Sequence, residues 1–285
     1  MDESWIEKPS LYVVATPIGN LGDITDRART ALGAVDIIAA EDTRQTRKLL
    51  THFGITPREI VAYHDHNEDK LAPLLVRRAL DENLTIALVS DAGTPAVADP
   101  GYRLVAAAHA EGLAVRPIPG ASALTSLVSC SGLPSDRVLF VGFLPTKKLA
   151  LRTEVESWGA LRASIVFYES PRRLRQTLTT IAELHPDARF VCGRELTKLH
   201  EEVISLPIAE ASDWLDRTTL KGEVVVMVHP GDVKRADVDD LREEAARRLR
   251  GGETLTDVLR HYKDAGYKRS EVYPMLLAVK EELDD

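Results

Sequence analysis

The sequence has few cysteines and no long apolar run. Its 285 residues include only two cysteines, Cys130 and Cys192, which stand in apolar stretches without CxxC spacing. This pattern excludes a disulfide framework and a zinc knuckle. No segment approaches the roughly 18 consecutive apolar residues of a membrane span, and the first nine residues lack the apolar core of a signal peptide. We therefore expect a cytoplasmic protein with no membrane partner.

The sequence also lacks an excess of positive charge, because 44 acidic residues outnumber 36 lysines and arginines. The formal net charge is −8 at pH 7, which counts against a protein that coats nucleic acid by neutralising phosphates along its whole length. The stretch from Leu144 to Arg175 is an exception, because it holds seven basic residues against three acidic ones. Such a run is usually a solvated helix face. Because the rest of the chain is acidic, any contact with RNA must be local.

Nucleotide-binding fingerprints are missing as well. The first predicted strand ends in the irregular turn Thr16–Asp23, which is not a GxGxxG motif and has no Walker lysine. A dinucleotide-binding or ATP-hydrolysing protein is therefore disfavoured.

The sequence does contain a regular alternation of short apolar runs and amphipathic segments. Over residues 10–133 this alternation predicts an α/β domain with a mostly parallel sheet. The predicted strands are Leu11–Ala15, Val35–Ala39, Glu59–Ala62, Leu84–Ser90 and Leu113–Ile118. The predicted helices lie near Asp23–Leu32, Thr43–Phe53, Glu68–Leu80, Pro100–Glu111 and Ser122–Ser131.

The pattern changes after residues 132–136, where we place a hinge. Residues 134–230 predict a second α/β domain with a mixed sheet, because several connections are too short for a parallel crossover. Its predicted strands are Val138–Phe143, Ser164–Tyr168, Arg189–Cys192, Val203–Leu206 and Glu223–Val228. Residues 236–285 predict a small module resembling a helix-turn-helix, with helices at Val238–Arg250, Thr254–Asp264 and Arg269–Leu283.

Two loops of small residues follow predicted strands of the first domain. Ser90–Pro95 follows the fourth strand and Pro119–Ala123 follows the fifth. In an open α/β sheet, ligands bind beyond the carboxyl ends of the strands, and two such loops favour an extended, nucleotide-like ligand. We interpret Asp99 as the N-cap of a helix with Pro100 at its first position, and Ser122 could likewise cap a helix. Asp91 and Gly93 have no such structural explanation.

The segment His64–Glu68 has the residue types of a metal site. Two histidines beside carboxylates could hold zinc, but a clear third ligand is missing, and Asn67 is placed to cap the helix that begins at Glu68. We predict a polar substrate-binding loop here and no metal.

In the second domain, Tyr168 and Glu169 end a predicted strand, and Ser170-Pro171 begins a helix that carries Arg172, Arg173 and Arg175. A helix N-terminus with nearby arginines suits a phosphate group, although exposed arginines alone would explain the pattern. The segment Gly193–Lys198 leaves another strand, and its simplest interpretation is a surface turn with an ion pair.

Six motifs in order carry a family resemblance. The motifs are Thr16–Leu21, Ala40–Arg44, His64–Glu68, Ser90–Pro95 with Asp99-Pro100-Gly101, Phe167–Pro171 and Arg194–Lys198. Together they strongly resemble the bacterial 16S rRNA cytidine-2′-O-methyltransferases, a family of the tetrapyrrole methylase superfamily, from about residue 10 to 230.

The resemblance implies a homodimer of subunits with two α/β domains of tetrapyrrole-methylase type, followed by a helical tail. It implies S-adenosylmethionine as methyl donor in the interdomain cleft, and 16S rRNA or the small ribosomal subunit as partner. Carried onto this sequence, the donor would contact Pro17, Asp91, Gly93, Thr94, Pro95, Gly120, Ser122 and Tyr168. The RNA would contact Arg44, His66, Asn67, Arg172, Arg173, Arg194 and Lys198. The chain departs from the family at Arg172, where histidine is frequent, and at Gly193, where alanine is common.

A ribose hydroxyl needs a proton acceptor to become a good nucleophile. Our first candidate for this role is Glu169 and our second is His64, while Asp91 would face the positively charged donor. Three other functions remain open: a methyltransferase of this fold acting on a small molecule such as a corrinoid precursor, a metal-dependent phosphoesterase using His64, Asp65, His66 and Asp91, and a noncatalytic RNA-binding protein.

Overall fold

The computed structural model describes residues 4–218, 221–231, 241–264 and 267–284. The chain divides into two units, residues 1–231 and residues 232–285. The first unit contains two five-stranded sheets. Among the described residues, no helix is both long enough and apolar enough to cross a bilayer.

The first sheet is entirely parallel. Its strands are β1 (Ser10–Val14), β2 (Ile37–Ala40), β3 (Glu59–Ala62), β4 (Thr85–Val89) and β5 (Ala114–Ile118). Their order is β3-β2-β4-β1-β5. Every residue of β2 and β4 is buried, as expected for inner strands of a sheet that is covered on both faces. The predicted parallel α/β arrangement is confirmed.

Helices cover both faces of this sheet. They are α1 (Asp26–Ala34), α2 (Thr43–His52), α3 (Glu68–Asp81) and α4 (Tyr102–Ala110). A fifth helix, α5 (Ala123–Cys130), follows β5. Alternate strand residues point to opposite faces, so Tyr12 packs with Leu32 of α1, whereas its neighbour Leu11 packs with Leu75 of α3 and Leu104 of α4. The helices do not cover the carboxyl ends of the strands, where the connecting loops lie.

Two predicted helix caps are wrong. Helix α4 begins at Tyr102 with Gly101 at its N-cap, so Asp99 and Pro100 precede the helix. Gly101 has a φ of 140°, and a Cβ there would stand 2.7 Å from Leu88 Cδ2, so packing against β4 sets where this helix starts. Asn67 holds the N-cap position of α3 without capping it, because its amide accepts from His64 N and donates to Ala62 O instead.

The second sheet is mixed, as predicted. Its strands are β6 (Val138–Phe143), β7 (Ser164–Glu169), β8 (Arg189–Arg194), β9 (Glu202–Pro207) and β10 (Val224–His229). They lie in the order β6-β7-β10-β8-β9, with β6 and β7 parallel and the other pairs antiparallel. The edge strands of this sheet are therefore β6 and β9, and both contain exposed residues.

Helix α5 follows the last strand of the first sheet and packs against the second sheet. One face of the second sheet packs around Trp158 with α6 (Lys148–Leu161), α7 (Pro171–Leu184) and α8 (Ala211–Arg217). The opposite face, through Val191 and Val225, packs on Leu127 of α5 and on Ile18 in the loop after β1. This shared core holds the loops of the first sheet close to β7, β8 and β10. The boundary between the two domains near residues 132–136 stays a prediction.

The described part of the second unit forms three helices, α9 (Arg242–Arg250), α10 (Leu255–Asp264) and α11 (Arg269–Asp284). They share a core around Tyr262 and Leu276, and the Tyr262 hydroxyl donates to Leu241 O at 3.3 Å. The start predicted for the first of these helices, Val238, and the break predicted at Ala265-Gly266 lie outside the described residues.

Candidate active site

Three loops at the carboxyl edge of the first sheet are bound to one another. Thr16, after β1, exchanges two backbone hydrogen bonds with Gly93, after β4, at N–O distances of 2.8 and 3.1 Å. The Thr94 hydroxyl donates to the carbonyl oxygen of Ala121, after β5, at 3.2 Å. The two small-residue loops identified from the sequence therefore meet.

Close backbone approach requires glycine at two positions in these loops. Gly93 has a φ of 78°, a left-handed conformation that glycine adopts most readily. At Gly120, a Cβ would stand 2.9 Å from the Cβ of Ala15. Glycine at these two positions lets the loops pack tightly at the carboxyl edge of the first sheet.

A cavity of about 380 Å³ lies between these loops and the second sheet, and we call it the donor cavity. This volume falls within the roughly 300–1,000 Å³ of small-molecule sites. Its floor comes from the loops of the first sheet and its far wall from the ends of β7, β8 and β10. Its lining includes Ile18, Gly93, Thr94, Asp99, Ser122, Phe143, Tyr168, Glu169, Gly193, Leu196 and Val225.

Asp99, which lines the donor cavity, lies near the carboxyls of Glu41, Asp91 and Asp65. Burial, followed by the charge of Glu41, raises the pKa of Asp99 to about 6, while a hydrogen bond with Ser90 opposes the rise. Burial also raises the pKa values of Glu41 and Asp91, and the nearby charge of Asp65 adds to the rise at Glu41. Glu41 accepts from Asp91 N at 3.1 Å, so these carboxyls are held close together. The group favours a positively charged ligand.

Tyr168 faces this acidic group from the second sheet. Burial raises the pKa of its phenol, and the charge of Asp99 raises it further. The Tyr168 ring packs edge-on against Phe140 and Phe143, with centroid distances of 5.1 and 5.6 Å. The donor cavity is therefore lined by the aromatic ring of Tyr168 and by the nearby carboxyl of Asp99.

A second and larger cavity, of about 710 Å³, adjoins the first, and we call it the outer cavity. The two cavities share Ile18, Ala92 and Glu223. One face of α2 lines the outer cavity through residues at helical spacing. Other lining comes from the loops after β1 and β4 and from the loops next to β8 and β10 in the second sheet. The α2 residues are Gln45, Thr46, Lys48, Leu49 and His52, and the others include Pro17, Gly19, Leu21, Asp91 and Lys198.

The eight residues predicted for the donor are divided between the two cavities. Gly93, Thr94, Ser122 and Tyr168 line the donor cavity, whereas Pro17 and Asp91 line the outer cavity. Pro95 and Gly120 line neither. Ser122 occupies the N-cap position of α5 but makes no capping hydrogen bond with its side chain.

Glu169, the first candidate for proton acceptor, is only 3% exposed. Its Oε1 accepts from Ser170 N and its Oε2 from the Thr177 hydroxyl, both at 2.8 Å, and Arg173 lies 3.4 Å from Oε2. To accept a proton from substrate, the carboxylate would have to exchange one of these bonds. Its role as a proton acceptor stays a prediction.

His64, the second candidate, lies outside the lining of the donor cavity. Its ring stands edge-on to His66 at 5.9 Å, and its buried Nδ1 has no hydrogen-bond partner among the residues that the structure describes. Among the described residues, no group of three or more His, Cys, Asp or Glu side chains is arranged to hold a metal ion.

Most of the basic residues predicted to meet RNA have partners within the chain. Arg44 pairs with Asp42, Arg194 with Glu202, and Lys198 with both Glu195 and Glu223. Arg173 donates to the carbonyls of Leu144 and Pro145. Arg172 differs, since it is exposed and has no salt bridge within the described part of the chain.

Sequence reasoning missed two sets of lining residues. Asp99 was interpreted as a helix cap, although an Asp-Pro-Gly sequence after a strand also fits a ligand loop. The α2 face lies outside the sequence motifs, yet its lining residues recur at the three- and four-residue spacing of one helix face, which are Gln45, Lys48, Leu49 and His52.

The structure combines two sheets, their covering helices and a ligand-sized cavity at the carboxyl ends of the parallel strands. This is the arrangement of an α/β enzyme that binds a small molecule. Residues 10–212 match the family described as Tetrapyrrole (Corrin/Porphyrin) Methylases. The chain belongs to this family.

Curated relatives are similar over most of the chain. A Ribosomal RNA small subunit methyltransferase I from Mesorhizobium japonicum is 43% identical over 96% of this chain and 93% of its own length. The protein of the same name from Escherichia coli O157:H7 is 46% identical over 84% of this chain and 83% of its own.

Solved structures share the fold at low identity. The methyltransferase CobJ has a TM-score of 0.56 at 17% identity, covering 77% of this chain and 93% of its own. A uroporphyrin-III C-methyl transferase from Thermus thermophilus, complexed with S-adenyl homocysteine, has a TM-score of 0.51 at 19% identity, covering 79% and 99%. At this identity the likeness concerns the fold alone.

Proposed function

We propose that this protein is an S-adenosylmethionine-dependent methyltransferase of the small ribosomal subunit. Relatives at 43% and 46% identity are named Ribosomal RNA small subunit methyltransferase I, and this chain covers most of their length. The observation that carries the proposal is the pair of adjoining cavities, one small and acidic, the other larger and partly basic. A methyl donor and a macromolecular acceptor would need such neighbouring sites.

The donor cavity fits the chemistry of S-adenosylmethionine. When bound, this donor supplies a methyl group on a positively charged sulfur. Asp99 provides negative charge in the lining, and the charge of Glu41 lies close to it. Tyr168 and Val225 provide apolar surface, and the loop at Gly93 offers backbone groups. The chain's own contribution would be to hold the donor in place and to align the acceptor oxygen.

The finer proposal is 2′-O-methylation of a cytidine ribose in the decoding region of 16S rRNA. It rests on the motif resemblance from Thr16 to Lys198. A ribose hydroxyl would lose its proton as the new bond forms, and Glu169 and His64 are our ordered candidates to accept it. We propose that the enzyme acts in the cytoplasm, where ribosomal subunits are its partner.

We also propose a homodimer. Strand β6 lies at an edge of the second sheet, and its Val138 and Leu139 are exposed by 36% and 38%. An apolar edge strand favours pairing with another chain. Sedimentation velocity would measure the dimer, and we expect Leu139→Lys to shift the protein towards monomer. An unchanged sedimentation coefficient would place any interface elsewhere.

The function is tested with small subunits purified from bacteria that lack the corresponding gene. The protein and S-adenosylmethionine are added, and the rRNA is digested and analysed by mass spectrometry. We expect one additional methyl group, on the ribose of a cytidine in the decoding region. A methyl group on a base would contradict the finer proposal, and transfer to a corrinoid precursor but not to subunits would contradict the proposal as a whole.

A further inference from the structure

The outer cavity has a basic side and an acidic border. Helix α2 contains Arg44, Arg47, Lys48 and His52 and no acidic residue, and of these Lys48 and His52 line the cavity. Glu223 lines both cavities, and Asp91 lines the outer cavity beside Ala92, where the two cavities meet. Negative charge therefore stands next to the donor cavity, and positive charge stands on the α2 side.

The charge of Lys48 is not neutralised by any residue that the structure describes. Its Nζ donates to Gln45 Oε1 at 3.2 Å, and it has no salt bridge among the described residues. Lys198, which also lines the cavity, is instead held by Glu195 and Glu223 at 2.9 and 3.1 Å. Lys48 is thus the lysine of this cavity that is available to an anion from solution.

Apolar surface lies beside this charge. Leu49, Leu21 and Pro17 line the same cavity, and Leu21 is 39% exposed. A wall that combines apolar groups with a cation and an amide matches the parts of a nucleotide, which has a flat base, polar edges and a phosphate. A purely apolar ligand would offer no polar or charged group to the side chains of Lys48 and Gln45.

We propose that the outer cavity binds a nucleotide of single-stranded RNA, with a phosphate against Lys48 and His52 and the base against Leu21 and Leu49. The inference rests on the proposed function, because it places the acceptor strand beside the donor cavity. It adds Gln45, Lys48 and His52 to the residues that meet RNA. None of these positions was predicted from the motifs.

The test compares Lys48→Ala with Arg47→Ala. Arg47 is exposed on the same helix, carries the same charge and does not line the cavity. The probe is the undermethylated small subunit, with binding measured between 50 and 200 mM salt. A second probe is a single-stranded RNA oligonucleotide that copies the decoding region. Calorimetry with S-adenosylmethionine measures the donor site separately, and thermal unfolding checks that each variant folds.

We expect Lys48→Ala to weaken subunit binding roughly three- to tenfold and to lower the salt slope by about one, as loss of one phosphate contact does. His52→Ala should weaken binding as well, whereas Arg47→Ala should change it less than twofold. Donor affinity should be unchanged in all three. Equal subunit affinities for Lys48→Ala and Arg47→Ala would overturn the inference even if methylation is intact. Failure of the wild-type protein to methylate subunits would instead remove the proposed function.

Discussion

The hydroxyl of Thr94 donates a hydrogen bond to the carbonyl oxygen of Ala121 at 3.2 Å. This bond joins the loop after β4 to the loop after β5, and Thr16 joins the loop after β1 to the same group through Gly93. The floor of the donor cavity is therefore one connected unit, so a local change in any of these loops should alter ligand binding.

Replacement of Gly93 by alanine tests this connection. The Gly93 backbone has a φ of 78°, and a Cβ there would lie 3.2 Å from Ile18 Cγ2 inside the donor cavity lining. A side chain in left-handed backbone costs about 1–2 kcal/mol. We expect Gly93→Ala to lower the free energy of unfolding by about this amount and to weaken donor binding.

Gly54→Ala is the matched control for this change. Gly54 has a φ of 67°, lines neither cavity and has open space where a Cβ would stand. Denaturant unfolding should show a similar loss of stability in both variants, while calorimetry should show weaker donor binding in Gly93→Ala alone. Equal donor affinities would mean that the Gly93 loop does not meet the donor.

Asp99 gives the site a pH dependence. Its pKa is about 6 in the folded protein against an ordinary value of 3.8, chiefly because of burial. The folded state therefore holds the proton more tightly than the unfolded state, and the stability contributed by this group is lost as pH rises from about 4 through 6. We expect Asp99→Asn to flatten that part of the stability profile and to stabilise the protein at pH 7.5 by about 1–2 kcal/mol, after allowance for partial solvent exposure.

The same substitution should act oppositely on the donor. Ionised Asp99 attracts a cation, so wild-type donor affinity should fall as pH drops through about 6, and Asp99→Asn should bind the donor more weakly at pH 7.5. Urea unfolding and calorimetry between pH 5 and 8 measure both effects. Asp81→Asn, at the exposed end of α3, serves as control. A variant that is neither more stable nor weaker in donor binding at pH 7.5 would remove Asp99 from the cation site.

The first sheet was predictable because its pattern is local. Strands β2 and β4 are apolar runs bounded by polar segments, and the small-residue loops after β4 and β5 follow directly from the chain. The start of α4 was not predictable in this way, because Asp99 and Pro100 satisfy the local rules for a helix start. The position of Gly101 against Leu88 of β4 decides the outcome, and that contact depends on the tertiary fold.

The salt-bridge partners of the basic residues could not be predicted from the charge pattern along the sequence either. The run from Leu144 to Arg175 is basic in the sequence, but Arg152 pairs with Glu183 and Arg175 with Asp216. These carboxylates lie 31 and 41 residues away along the chain. The reverse holds for Lys48, whose charge in α2 meets no carboxylate in the described part of the chain. A charge count along the sequence cannot separate these cases.

Glu169 can be tested against its hydrogen-bond partner. If Glu169 accepts the substrate proton, Glu169→Gln should lower kcat by about 10²–10⁴-fold, whereas Thr177→Val keeps the carboxylate and should keep most of the turnover. Each variant loses a buried hydrogen bond and should cost about 1–2 kcal/mol of stability. Single-turnover methylation and denaturant unfolding provide the measurements. Equal turnover in the two variants would reduce Glu169 to a residue that positions α7.

Arg172 and Arg173 are neighbours at the start of α7 with different surroundings. Arg172 is exposed and has no salt bridge among the described residues, whereas Arg173 bonds two carbonyls and approaches Glu169. We expect Arg172→Ala to weaken subunit binding and to lower its salt slope by about one without changing stability. Arg173→Ala should lower the free energy of unfolding by about 1–3 kcal/mol, because it leaves buried acceptors without a donor. Filter binding at several salt concentrations and thermal unfolding separate the two effects. An unaltered salt slope for Arg172→Ala would identify it as a solvated side chain, since a phosphate contact cannot be lost without releasing fewer counterions on binding.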